Sequence, residues 1–525
     1  MKNKLFTLIF VLSSSLLFAQ SDGDIKTSAS GLWFDGIWEV YNSGTWSSTG
    51  APSNITSTVT LYHDVSILIS TITINTGGKL VISPTGKLSN GNTAITNNVG
   101  VNGLLVEATS AGSGQYVNLG TISGNRETYI TGSKWHLIGL PVDAVSTTTK
   151  FDGFYMQQYN EADDTWTWNY EGGFDTSMDL GYGYSVWNST DATVSVSGSF
   201  IASDKTISGL SATGQGFHLL SNPYISGLGF TSDWTRTNVN NAIYIWSQGS
   251  GTYLSYNTGS SYTIKASQGF FMQASVAGAS VVMKAGARTT GSSANPVKSS
   301  AAGEIEKARL RIENTANDYA DEVQFEFNAI ASINYDGETD AQKMFGSEES
   351  PDLFILTGDD VDVAIKGLDG TVASTLRMQL RPNEDATYKI TATEFTFDSS
   401  TEVLLEDLFT STTVTIDAGL DYTFTSDSTD LENRFKIYVT PTASSIDQPT
   451  IEDQFKIFGS DSKLRILSSE NNYKLMVYNL LGQKLMEQNN LQGNTEFDLS
   501  AYKQKIIIVS LQTDEGVISK KIQLR

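Results

Sequence analysis

The chain of 525 residues has no cysteine, only three histidines and only nine prolines. Without cysteine there is no disulfide framework, no thiolate metal site and no lipid-modified N-terminal cysteine. No G-x-S-x-G elbow, H-E-x-x-H helix or G-x-x-x-x-G-K-[ST] loop occurs, so serine hydrolase, zincin and P-loop chemistry lose their usual entry points. Positive charge is scarce: 34 basic against 57 acidic side chains give a net charge of −23, which argues against a nucleic-acid partner. After the first twenty residues no segment is apolar enough to cross a bilayer.

What remains is rich in Gly, Ser, Thr, Asn, Val, Ile and aromatic residues, which suits pleated strands and tight turns better than helices. The expected fold class is all-β. The length exceeds what one core supports, so several domains are expected.

The opening "MKNKLFTLIFVLSSSLLFAQ" places Lys2 and Lys4 before a short apolar run, the pattern of a cleavable signal peptide over residues 1–19. The mature chain is then extracellular or held at the cell surface. From 31 to 126 short apolar pairs recur between turn residues: Val59 with Leu61, Ile72 with Ile74, Leu80 with Ile82. Such rungs fit a short β-solenoid, in which each coil buries its inward side chains on its neighbours, or an antiparallel meander with Gly-rich turns. Trp33, Trp38 and Trp46 precede the coils and suit a cap.

Residues 127–285 contain an internal repeat. "KWHLIGLPV" from Lys134 corresponds to "GFHLLSNPY" from Gly216, aligning His136 with His218 and Pro141 with Pro223. The expectation is a repeated, aromatic-rich β module. A polar linker at 286–303 precedes a run of alternating strands at 304–440, read as an antiparallel β-sandwich. That stretch holds 29 acidic and 10 basic side chains. A second linker, 441–452, precedes a small β domain at 453–525.

Three groups of residues suggest chemistry. Asp336, Glu338 and Asp340 alternate like the first ligands of a Ca²⁺ loop, although Ala341 stands where such a loop requires Gly; a solvated acidic loop is the other reading. Calcium is the only cofactor suggested. Trp166, Trp168 and Tyr170 lie beside carboxylates, as a sugar-binding platform requires, or as an ordinary aromatic hairpin would arrange them. His136 and His218 occupy equivalent positions between apolar neighbours, where a duplicated structural role is the simpler explanation.

A further group is C-terminal. "VYNLLGQKL" at 477–485 reads as a hairpin with Gly482 at its turn, followed by "FDLSAY" and the terminal "KKIQL". At this position the segment resembles the type A C-terminal sorting domain of proteins exported by the type IX secretion system of Gram-negative bacteria. Val477, Tyr478, Gly482 and Lys521 carry the match, while Lys505 and Ile507 stand where the family usually has Gly and then Tyr. The resemblance implies recognition by the translocation and sorting machinery, removal of the domain near the preceding linker, and often attachment to surface lipopolysaccharide at the outer membrane. With no catalytic motif detected, the expected role of such a cargo is adhesin-like or structural, with glycans or host or cell surfaces as partners. The alternative is an extracellular polysaccharide-binding or polysaccharide-degrading protein.

Overall fold

A computed structural model describes residues 20–68, 70–143, 145–169, 177–260, 262–291, 305–428, 433–441, 455–460, 463–468, 472–502, 506–513 and 516–524. The segment 1–19, read as a signal peptide, and most of both stretches read as linkers lie outside them. The protein is all-β and multidomain, and among the described residues one four-residue α-helix, Thr147–Lys150, and four short 3-10 turns interrupt the strands.

Alternation in the first region puts Val59, Leu61, Leu80, Ile82, Leu104 and Val106 fully inside. The strands that carry them, Thr58–Leu61, Lys79–Ile82 and Leu104–Val106, pair in parallel, Val59 beside Leu80 and Leu80 beside Leu104. A second parallel set joins Asp64–Ile67, Lys87–Asn90 and Gln115–Val117, and a third joins Asn54–Ile55, Thr73–Ile74 and Thr96–Asn97. Gly86 permits this spacing: a Cβ there would lie 2.1 Å from the Leu61 carbonyl oxygen. At one end the first sheet turns antiparallel through Ile25–Thr27, Trp38–Asn42 and Thr45–Thr49. Trp33 and Trp38 are buried there, with ring centroids 4.7 Å apart; Trp33 Nε1 donates to the Pro52 carbonyl and Trp38 Nε1 to that of Trp33. At the other end Ile122–Ile130 pairs antiparallel with Ala192–Phe200, so this sheet runs across residue 127.

Two four-stranded antiparallel sheets follow. The first orders its strands Lys134–Ile138, Tyr184–Asn188, Tyr155–Asn160, Thr165–Asn169, and the second Phe217–Ser221, Gly269–Gln273, Ile243–Ser247, Thr252–Tyr256. In both, the second strand in space is the last in sequence. Single bridges link them, Ile138 to Gln268 and Tyr182 to Leu220. Part of the stretch read as linker belongs here: Arg288–Thr289 pairs with Gly227–Gly229, and the Arg288 guanidinium donates to the Asn118 carbonyl at 2.8 Å.

Residues 305–440 form one eleven-stranded sheet wound almost into a barrel around a single core that includes Leu310, Phe325, Ile355, Met378, Ile390 and Ile437. It departs from a purely antiparallel sandwich at one place. Ala320–Phe327 pairs in parallel with Asp362–Leu368. Period-2 alternation tells which side chains face inward, but not which strand lies alongside. A polar junction holds this sheet to the preceding one: Thr252 donates to Asp321 at 3.0 Å, Asn257 to Glu326 at 2.6 Å, and Arg309 to the Ser255 carbonyl at 3.0 Å.

The chain divides into two compact units between Thr440 and Pro441. In the second, Lys484–Leu491, Tyr473–Tyr478, Ile506–Thr513 and Gly516–Gln523 form one antiparallel sheet, and Phe455–Ser460, Lys463–Ser468 and Thr495–Asp498 another. Their inward residues, among them Leu464, Ile466, Leu475, Val477, Ile507, Val509 and Leu511, make one sandwich-like core.

Candidate functional site

The acidic loop does not bring its three carboxylates together. Asp340 is buried and receives the Lys366 ammonium at 2.9 Å on both oxygens, with the Gly367 amide at 2.8 Å. Burial pushes its carboxyl above the ordinary value, against the pull of Lys366. Glu338 turns outward to Arg236, accepting at 2.8 and 3.1 Å. Asp336 accepts from the Glu338 amide at 2.9 Å and so closes the turn. Each charge already has a different partner, and among the described residues no group of three His, Cys, Asp or Glu is placed to hold a metal ion.

The aromatic hairpin packs inward where its side chains are described. Trp166 is half-buried and meets Tyr159 edge-on at 5.4 Å and Phe271 at 6.1 Å, in a cluster that joins the two four-stranded sheets. Trp168 pairs through its backbone with Gln157, and Tyr170 lies outside the described residues. The neighbouring carboxylates are committed. Glu161 accepts from the amides of Gly214 and Gly216 at 2.8 and 3.0 Å and from the Ser211 hydroxyl. Burial opposes its ionisation, but these donors outweigh it and hold the carboxyl below its ordinary value. Asp164 accepts from the Tyr159 hydroxyl and from the Gln215 amide. The two acids therefore clamp segment 211–216, about fifty residues away, a partnership without a local sequence signal.

The two histidines aligned in the sequence bond alike. His136 Nε2 is 2.9 Å from the Thr131 carbonyl oxygen and His218 Nε2 is 2.8 Å from that of Ser211, so each nitrogen donates. Gln248 Nε2 donates to His136 Nδ1 at 2.8 Å, which fixes the tautomer. Burial lowers the His136 pKa, keeping the ring neutral.

The C-terminal hairpin has the most defined exposed feature among the sequence-derived groups. Val477 is fully buried, Tyr478 is half-buried, and the strand ends there, just before Asn479. The Asn479 side-chain oxygen accepts from the amides of Leu481 and Gln483, each at 3.0 Å, and its carbonyl accepts from Gly482. Gly482 adopts φ +80°, the left-handed region that glycine enters without steric cost. This small network holds Leu480 and Leu481 in water, 56% and 86% exposed. Lys521 is exposed on Gly516–Gln523, opposite Ile508.

No family model matches the chain, and no curated protein matches it. A solved structure described as "Biofilm associated protein - BSP domain" aligns with 78% of this chain and 93% of its own length at 7% identity. The TM-score is 0.11, too low to carry an argument about fold or function.

Proposed function

We propose that the protein is a cargo of the type IX secretion system, displayed on the cell surface or released, with residues 453–525 acting as its sorting domain. The observation that carries this reading is the tip of the C-terminal hairpin. Two leucines stay in water on a turn fixed by Asn479 and Gly482, in a unit with its own core. Exposed apolar side chains on a rigid turn offer a docking element to machinery that must recognise a folded domain.

In this proposal the working part is the first unit. We read its parallel stack as a short β-solenoid and its two four-stranded sheets as copies of one module; the three parallel pairings and the shared strand order support these readings. The role is adhesin-like or structural. Deleting residues 453–525 should leave the protein in the periplasm, detected by fractionation and surface labelling. Normal display of the truncated chain would remove the sorting role.

The polysaccharide-binding alternative draws nothing from Trp166, which packs inward, but a separate cavity favours it.

A further inference from the structure

A cavity of about 390 Å³ opens where the strand Lys134–Ile138, the end of Ile243–Ser247 and the turn 265–269 meet the strand Ile122–Ile130. This volume falls within the range of roughly 300–1,000 Å³ typical of small-molecule sites. Three properties distinguish it from an accidental gap.

An aromatic residue, the half-buried Trp246, is among its lining residues, its ring 4.9 Å from that of Tyr253. Its polar groups are already oriented. Gln248 spends its amide hydrogens on the Trp135 carbonyl and on His136 Nδ1, both at 2.8 Å, which leaves its oxygen to accept. Buried Ser267, held at φ +63°, accepts from Thr128 at 3.1 Å and keeps its own proton to donate. The turn beneath is pinned by Asn222, whose buried amide donates to the carbonyls of Ser226, Ile264 and Lys265.

Charge supplies the third property. In a chain of net charge −23, none of the twelve described residues lining the cavity is acidic. Lys265 is exposed at its rim, and among the described residues no carboxylate pairs with its ammonium. Lys134 lies close enough to act on His136. The nearby Asp191 is occupied by the Tyr129 hydroxyl at 2.5 Å and the Gly132 amide at 2.8 Å.

We propose that this cavity binds a carboxylated pyranose, a uronic-acid unit of an acidic polysaccharide. The apolar CH face of the ring stacks on Trp246, the carboxylate meets Lys265, and hydroxyls bond Gln248 and Ser267. Stacking needs only the flat apolar face that every pyranose offers, so Lys265 supplies the preference for acid. The inference rests on the polysaccharide-binding reading and is independent of the sorting assignment, so either can fail without the other.

The test is calorimetric titration of the full chain with trigalacturonate and triglucuronate, with maltotriose as the uncharged counterpart and tryptophan fluorescence as a second signal. At least one uronate should saturate a single site and bind about ten-fold or more tighter than maltotriose. Trp246→Ala should weaken all binding by about ten-fold. Lys265→Met, at an exposed position where the fold tolerates change, should weaken only the uronate by about ten-fold and leave maltotriose unaffected. The proposal is overturned if neither uronate saturates, if maltotriose binds equally well, or if Lys265→Met leaves uronate affinity unchanged.

Discussion

Asp352 and Lys343 show how finely single charges are balanced in the acidic sheet. Lys343 and Asp321 form a fully buried pair, 2.7 Å from Nζ to Oδ1, and Asp321 also receives Thr252 and the Leu353 amide. Removing the cation alone strands a buried carboxylate, which typically costs about 3–5 kcal/mol. Lys343→Met should therefore destabilise the first unit by that amount, read from chemical denaturation as a lower midpoint at unchanged slope. Asp352 is pushed up to about 6, chiefly by burial, with Lys343 pulling the other way and Asp321 adding to the rise. An acid whose pKa is higher folded than unfolded binds more protons when folded between those two values. Stability then falls as pH rises from the ordinary 3.8 to about 6, and stays reduced above. Asp352→Asn should stabilise the protein by on the order of 2 kcal/mol at neutral pH. The gain should vanish near pH 4, as a comparison of Tm across that range would show. A destabilised variant at neutral pH would contradict the burial account.

At the scale of elements, glycine turns and capped hairpins decide what can be stacked. Gly86→Ala would drive a Cβ against the Leu61 carbonyl, so the backbone must shift; a loss of roughly 1–3 kcal/mol is expected, seen in the thermal unfolding of the first unit. Gly482 faces open space, and there the penalty is conformational alone. Gly482→Ala should cost about 1 kcal/mol in the second unit and leave the first untouched. The sequence discloses these elements unevenly. Val59, Leu61, Leu80 and Ile82 announce strands by alternation, and Gly482 announces its turn, because both signals are local. The parallel pairing of Ala320–Phe327 with Asp362–Leu368 is not local, and neither is the clamp of Glu161 on residues 214 and 216. The same limit hides the cavity, whose Trp246, Gln248 and Lys265 lie more than a hundred residues from His136.

For the whole molecule, the division at Thr440 predicts separable behaviour. Denaturant unfolding should show two transitions, with Lys343→Met moving one and Gly482→Ala the other; a single transition shifted by both substitutions would contradict two independent cores. The first unit has a different internal logic. Its junction between the second four-stranded sheet and the eleven-stranded one is polar and buried, with Asp321 facing Lys343 and Thr252. Polar contacts that specify partners so narrowly fix one docking arrangement of the two sheets.

The first sheet is parallel inside and antiparallel at both ends. On the solenoid reading proposed above, coils can be inserted or deleted in its middle while both antiparallel ends stay intact. The reach of this region is then quantised, each added coil extending it by about 4.8 Å, the spacing between neighbouring strands.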